Sequence, residues 1–380
     1  MKKNYTTSYR RGFNTCKVWG NNRMRERKIT LLGPEGTNVS IFFLFLIFNV
    51  ISWFTLFVLT EGIELNFNNI LIRQIVFTLL SVGVFFLLTY ISIENLQKYT
   101  DSFFIIILIL LAALLRTTPK AGVRRWFDLG PIDFQPSEFA KVIVVLFIAN
   151  FFIQRRSKYP LVLYLGLILM LILQQPDLGT SIIIGFVIFS MIFVSEIKIR
   201  NFVLIVLLVF LTFFLFLEAG LINENQLDRI NSFFSTDEDF QQSQSRLLIS
   251  SGSLFGQYFQ LEKVSKIFVP VETTDFIFAA YAYNFGFIGV LLILFLWFVF
   301  FLRLTQILRV SNSDFDKFVI TGFITLLAFQ IIVNISTITG LLPLTGLPFP
   351  LLSLGGSSMV STAVIFGITN RIFIENNLVI

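Results

Sequence analysis

Asp275 is the last polar residue before a long apolar run, in Val269-Pro270-Val-Glu272-Thr-Thr274-Asp275-Phe-Ile-Phe278. A carboxylate at such a margin is partly desolvated, which disfavours the charged form and makes a stronger base. The same position suits a helix N-cap. A second stretch, Gly122-Val-Arg124-Arg125-Trp126-Phe-Asp128, joins two apolar segments. Guanidinium forks match phosphate oxygens two at a time, and Trp126 suits a membrane–water interface, so the stretch is either a ligand site or an interfacial anchor. Further on, Glu138 and Lys141 stand at i,i+3 on one face of an apolar helix. Charges at membrane depth cost ~2.5–3.5 kcal/mol each on insertion scales, so they face a cavity or one another. Structural ion pair and ligand contact are both open for that pair. In Gln174-Gln-Pro176-Asp177-Leu-Gly179-Thr180-Ser181, Asp177, Thr180 or Ser181 is expected to cap the following helix.

The chain has no His and a single Cys, Cys16. That removes the usual neutral-pH acid/base, internal disulfides and thiolate clusters. Chemistry falls to carboxylates, cations, hydroxyls and amides. No metal-ligand cluster is evident, although a divalent cation remains open as an assistant.

These residues must be positioned by a membrane scaffold. The 380-residue chain is 55% hydrophobic, 14% charged and holds 48 Phe, the composition of a polytopic membrane protein. Ten apolar segments are expected, near 40–60, 75–93, 103–115, 139–153, 160–173, 180–194, 202–217, 276–302, 318–338 and 347–374. The fold class is therefore all-α, with about ten transmembrane helices. Residues 1–38 carry nine Lys/Arg and read as a basic tail near anionic lipid. No cleavable secretory signal is expected there. Residues 39–380 read as one membrane domain. Counted over alternate loops, 19 Lys/Arg share the side of the two termini against nine opposite. The positive-inside rule then places both termini in the cytoplasm. The loop 218–275 is extracytoplasmic and hydrophilic, and Leu247, Leu248, Ile249, Leu254 and Phe255 suggest a short amphipathic surface helix inside it.

One segment does not read as an ordinary span. Between Asn334 and Ser358, Pro343, Pro348 and Pro350 and the glycines 340, 346, 355 and 356 interrupt a stretch without Lys, Arg, Asp or Glu. Each proline removes a backbone donor. Irregular backbone at membrane depth survives only where protein or a watery cavity covers it. The segment predicts a built cavity.

Five pieces in order carry a family resemblance. They are Gly122…Arg125-Trp126…Gly130…Gln135-Pro136-Ser137-Glu138…Lys141; Pro176-Asp177-Leu178-Gly179-Thr180; Gln244-Ser245…Gly252…Gly256; Pro270…Thr274-Asp275-Phe276-Ile277-Phe278; and Asn334…Gly340…Pro343…Gly346…Pro350…Ser353-Leu-Gly355-Gly356-Ser357. Over roughly residues 40–375 the chain resembles the SEDS proteins, the FtsW/RodA/SpoVE family, and is most similar to the FtsW type. It departs from the family pattern at Val271, Tyr283-Asn284, Tyr258–Leu261 and Leu354. The resemblance implies a peptidoglycan glycosyltransferase that polymerises lipid II, with the lipid pyrophosphate leaving and inversion at the sugar. It implies Asp275 as catalytic base, and Arg124, Arg125, Trp126, Glu138, Lys141, Thr274 and Ser353 as substrate-binding residues. It implies a class B penicillin-binding protein as partner, with other division or elongation proteins nearby. A lipid II flippase and a non-catalytic division scaffold are the alternatives. A flippase is expected to show paired broken helices in inverted repeats, and only one proline-broken region, near 340–350, is visible.

Overall fold

The computed structural model describes residues 29–30, 33–34, 39–60, 69–120, 123–130, 132–154, 158–195, 240–258 and 273–376. Nearly all of the tail 1–38, the expected span 202–217 and most of the loop 218–275 lie outside the described residues.

The described helices are α1 (Val39–Thr60), α2 (Ile70–Tyr90), α3 (Ile93–Leu114), α4 (Pro136–Ile153), α5 (Lys158–Leu173), α6 (Leu178–Val194), α7 (Phe240–Ser251), α8 (Ile277–Val310), α9 (Asp314–Ile338) and α10 (Gly356–Glu375). Seven of them are long and apolar enough to cross a membrane, and α5 and α6 are shorter apolar helices. Of the amphipathic helix expected in the long loop, Leu247, Leu248 and Ile249 lie in α7, whereas Leu254 and Phe255 lie in the turn beyond its end. The expected span 347–374 is corrected: residues 347–355 are not helical, and the helix begins at Gly356. Three backbone-breaking prolines and the adjacent glycines account for the late start.

Burial sorts the spans into two kinds. α10 is 83% buried over its most apolar window with a mean hydropathy of 1.3, whereas α8 is 28% buried with 2.9. A helix sheathed by other helices tolerates polar side chains, while one facing lipid does not. α10 packs chiefly against α2. Phe300 stacks on Phe366 at 4.1 Å, and Phe45 and Phe85 join the same cluster, tying α1, α2, α8 and α10 together. A second aromatic contact, Phe104 on Phe147 at 3.9 Å, joins α3 to α4.

Two interruptions of helix shape the end of the bundle where α4, α6, α8 and α10 begin. In the first, α8 is broken at Gly286 (φ 66, ψ −167), a conformation open to glycine and costly for other residues. Residues 253–258 lie against the break. Gln257 N donates to Tyr283 O (2.9 Å), Tyr258 N to Asn284 O (3.2 Å), Phe287 N to Ser253 O (3.0 Å) and Ile288 N to Leu254 O (3.1 Å). The backbone groups released by the break are thus re-bonded by protein, as the bilayer demands.

The second interruption is the non-helical segment 341–355 between α9 and α10. One polar row on α9 holds it, at i, i+4 and i+7. Gln330 Nε2 donates to Pro348 O (2.9 Å), Asn334 Nδ2 to Leu347 O (2.6 Å) and Thr337 Oγ1 to Pro343 O (3.4 Å). From α7, Gln242 Nε2 donates to Leu342 O (2.7 Å), and Ser245 Oγ donates to Ile338 O (2.9 Å) at the end of α9. From α1 and α2, Ser52 Oγ donates to Leu352 O (2.8 Å) and Gln74 Nε2 to Ser353 O (3.3 Å). Helical spacing puts the row on one face, so a straight helix can clamp an irregular chain.

Candidate functional site

The turn Thr273–Phe276 precedes α8, and Phe276 occupies the N-cap without a side-chain cap bond. The N-cap residue is therefore the one after Asp275. The turn is stitched to the segment 341–355. Leu354 N donates to Thr273 O (2.9 Å), Ser353 Oγ to Thr274 O (2.6 Å), and Asn334 Nδ2 to the Asp275 main-chain oxygen (3.0 Å). Ser353 Oγ also accepts from Phe349 N (2.8 Å). Ser353 and the Thr274 backbone thus hold the turn by a bond to each other, and Asp275 stands half-buried at its end.

Arg125 reaches the same place from another loop. A short antiparallel hairpin pairs Phe127 with Phe134 and Asp128 with Asp133. The chain leading into this hairpin is tied to its second strand by Lys120 Nζ on Asp133 Oδ1 (2.6 Å), a bond that also raises the Lys120 pKa. Its end is pinned by Ser357 of α10, whose hydroxyl donates to Asp133 O (3.2 Å) and accepts from Gln135 N (2.9 Å). The Arg125 guanidinium donates through Nε to Gln175 O (3.3 Å) and through Nη2 to Pro176 O. Its Nη1 lies 3.9 Å from Asp177 Oδ1. Asp177 caps α6 by accepting from Thr180 N (3.3 Å), and also accepts from Ser137 Oγ (3.2 Å). One carboxylate therefore both starts a helix and orients a cation.

The two charges meet at Gly346. A Cβ built on that glycine would sit 3.6 Å from Asp275 Oδ2 and 3.9 Å from Arg125 Nη1. Its φ of 67° belongs to the left-handed region. Beside it opens a cleft with about 320 Å³ of empty space, mouth included, lined by Gln241, Asp275, Phe276, Asn334, Gly346 and Leu347 among others. A carboxylate and a guanidinium on either side of a side-chain-free residue can work on one ligand, the first as base and the second as anion clamp.

The other expected site residues are placed differently. Glu138 and Lys141 are each 2% exposed and face one another, Lys141 Nζ to Glu138 Oε1 at 2.9 Å. Lys141 also donates to Gln330 Oε1 (3.1 Å), and Ser361 Oγ donates to Glu138 Oε2 (3.3 Å). Gln330 in turn holds Pro348 O, so this pair lies beneath the re-entrant segment. Arg124 is exposed, and Trp126 is half-buried. Asn334, Gln241 and Gly346 belong to the site, although composition and spacing did not single them out as functional. Asn334 carried a signal, as an amide at the head of the proline-rich stretch. Among the described residues, no group of three or more His, Cys, Asp or Glu gathers as a metal site.

The bundle of long apolar helices defines a polytopic membrane protein. The family model FTSW_RODA_SPOVE, described as a cell cycle protein, matches residues 37–378, and the chain belongs to that family. It is 31% identical over 325 residues to the probable peptidoglycan glycosyltransferase FtsW of Haemophilus ducreyi, covering 81% of each chain. A chain from a structure titled "Structural coordination of polymerization and crosslinking by a peptidoglycan synthase complex" is similar at 27% identity and a TM-score of 0.74, covering 90% of this chain and 99% of that one. The rod shape determining protein RodA of Thermus thermophilus is similar at 26% identity and a TM-score of 0.67, covering 90% and 98%.

Proposed function

We propose that this chain is a peptidoglycan glycosyltransferase that polymerises lipid II. The observation that carries the reading is the convergence of Asp275 and Arg125 on Gly346 at the wall of an open cleft. Asp275 takes the proton of the attacking sugar hydroxyl. The hydroxyl oxygen forms a bond to the anomeric carbon of the growing chain as the carbon–oxygen bond to the lipid pyrophosphate breaks. The bonding electrons leave with the pyrophosphate, and Arg125 neutralises that charge. Preorganised cations stabilise a departing phosphate in this way. Asp177 keeps Arg125 aimed, and the Glu138–Lys141 pair props the segment that carries Gly346. Thr274 and Ser353 fix the turn of Asp275, while Trp126 and Arg124 belong to the lipid-side rim.

In this reading residues 39–380 form one membrane domain with both termini cytoplasmic, and the cleft opens outward, where lipid-linked sugars are polymerised. The likeness to a chain of a peptidoglycan synthase complex supports a class B penicillin-binding protein as partner.

The test is Asp275→Asn, purified with its partner and given lipid II, with products read on a gel. A general base contributes ~10²–10⁴-fold, so polymer is expected to fall by at least two orders of magnitude while the protein still inserts and binds its partner. Full polymer yield from Asp275→Asn overturns the assignment.

A further inference from the structure

Asn334 is buried at 2% exposure on α9 and lines the cleft. Its single NH2 group serves two carbonyls that belong to different segments: the main chain of Asp275 at 3.0 Å and Leu347 at 2.6 Å. Two facing carbonyls fix the rotation of the amide, because only the nitrogen can donate. Its oxygen, Oδ1, has no hydrogen-bond partner among the described residues. An unpaired buried acceptor is destabilising. The position asks one short side chain for two donors, where Ser and Thr offer one.

The rest of the polar row explains why this position differs. Gln330 and Thr337 bond to the re-entrant segment but not to the Asp275 turn. Asn334 alone of the three spans both. Asp275 Oδ2 and Gly346 stand next to the two bonded carbonyls in sequence, so the amide sets the gap between the carboxylate and the wall that carries Gly346.

We infer that Asn334 is a positioning residue for the glycosyl transfer, holding the Asp275 carboxylate in register with Gly346 and Arg125. It touches neither reacting atom. The inference rests on the glycosyltransferase reading, because it assigns Asn334 through Asp275. A displacement of about 1 Å in an aligned reacting group costs ~10²-fold. The effect therefore falls on kcat, while the KM for lipid II moves little and the thermal midpoint falls only as far as two carbonyls losing a donor require.

Asn334→Ala, Asn334→Asp and Asp275→Asn are measured side by side with lipid II, for kcat, KM and thermal midpoint. Asn334→Ala is expected to lose about tenfold to a hundredfold in kcat at unchanged KM. Asn334→Asp keeps the shape but sets a carboxylate against two carbonyls. It is expected to lose as much at neutral pH and, measured against wild type at each pH, to recover partly in acid, where a protonated carboxyl regains one donor. That recovery is something a simple packing role would not give. If Asn334→Ala fails to fold, Asn334→Asp decides alone by the same kcat criterion. Wild-type kcat in either variant beside a dead Asp275→Asn overturns the inference and leaves the function standing, as does a loss confined to KM. Full activity of Asp275→Asn overturns both.

Discussion

Two pairs of opposite charge lie at the same end of the bundle, and they are built in opposite ways. Glu138 and Lys141 sit on one helix, in contact at 2.9 Å, sealed at 2% exposure each. Asp275 and Arg125 come from separate loops and flank a glycine, with a cleft beside them. The closed pair spends its charge on itself and on Gln330 and Ser361. In the other, Arg125 is held by Asp177 and the carbonyls of the 175–176 turn, and it and Asp275 come near each other only across the side-chain-free Gly346, beside the cleft. A carboxylate and a cation in a membrane protein are not a site by type. What separates site from scaffold is whether a gap is left between them, and here Gly346 supplies it.

The comparison breaks if the closed pair grips substrate. Lys141→Met would leave the Glu138 carboxylate buried without its cation, a change that costs ~3–5 kcal/mol. Thermal unfolding in detergent should show it as a large fall in midpoint. Replacing both partners, Glu138→Gln with Lys141→Met, removes the orphaned charge and is expected to recover most of that stability, because neutral replacement of a buried pair is often tolerated. Polymer synthesis by the double variant should stay within about tenfold of wild type. A well-folded double variant that makes no polymer would put the pair among the substrate contacts.

The open pair is sharpened by filling its gap. Gly346→Ala places a methyl 3.6 Å from Asp275 Oδ2 and 3.9 Å from Arg125 Nη1. The contact itself is ordinary, and the forced left-handed backbone costs ~1–2 kcal/mol. The protein should therefore fold, yet lose about tenfold to a hundredfold in polymerisation, since small misplacements at a reacting centre are amplified. Activity within twofold of wild type would mean that substrate does not pass between the two charges.

The described spans and the broken segment were legible because each follows from a local pattern. A run of apolar residues must be a helix in lipid, and prolines in a charge-free stretch must be sheltered. The cap role of Asp177 was legible for the same reason. The break at Gly286 was not, since a lone glycine in an apolar run carries no mark of the four backbone bonds that meet it. The departures Tyr283-Asn284 and Leu354 show why residue type misleads at such places. The carbonyls of Tyr283 and Asn284 accept from Gln257 and Tyr258, and Leu354 N holds Thr273 O. These are backbone contributions that any of several side chains would allow. Asn334 needed the fold itself, because its two partners, Asp275 and Leu347, lie 59 and 13 residues away in sequence.

The finest test separates two neighbouring cations. Arg124 and Arg125 are adjacent in sequence and identical in chemistry, yet Arg124 is exposed while the Arg125 side chain is 13% exposed and bonded to the 175–177 turn. Exposed charges are screened over a Debye length of ~8 Å at physiological salt, and partly buried ones much less. Arg125→Ala is expected to weaken lipid II binding about tenfold to a hundredfold, in line with ~1.5–3 kcal/mol for a hydrogen bond to a charged group. That loss should persist in high salt. Arg124→Ala is expected to change binding by less than about threefold at low salt and by nothing measurable at 0.5 M, as for other surface charges. Binding titrations at the two salt concentrations decide it. Equal losses from the two substitutions would mean that the loop offers a diffuse basic surface and not a single aimed guanidinium.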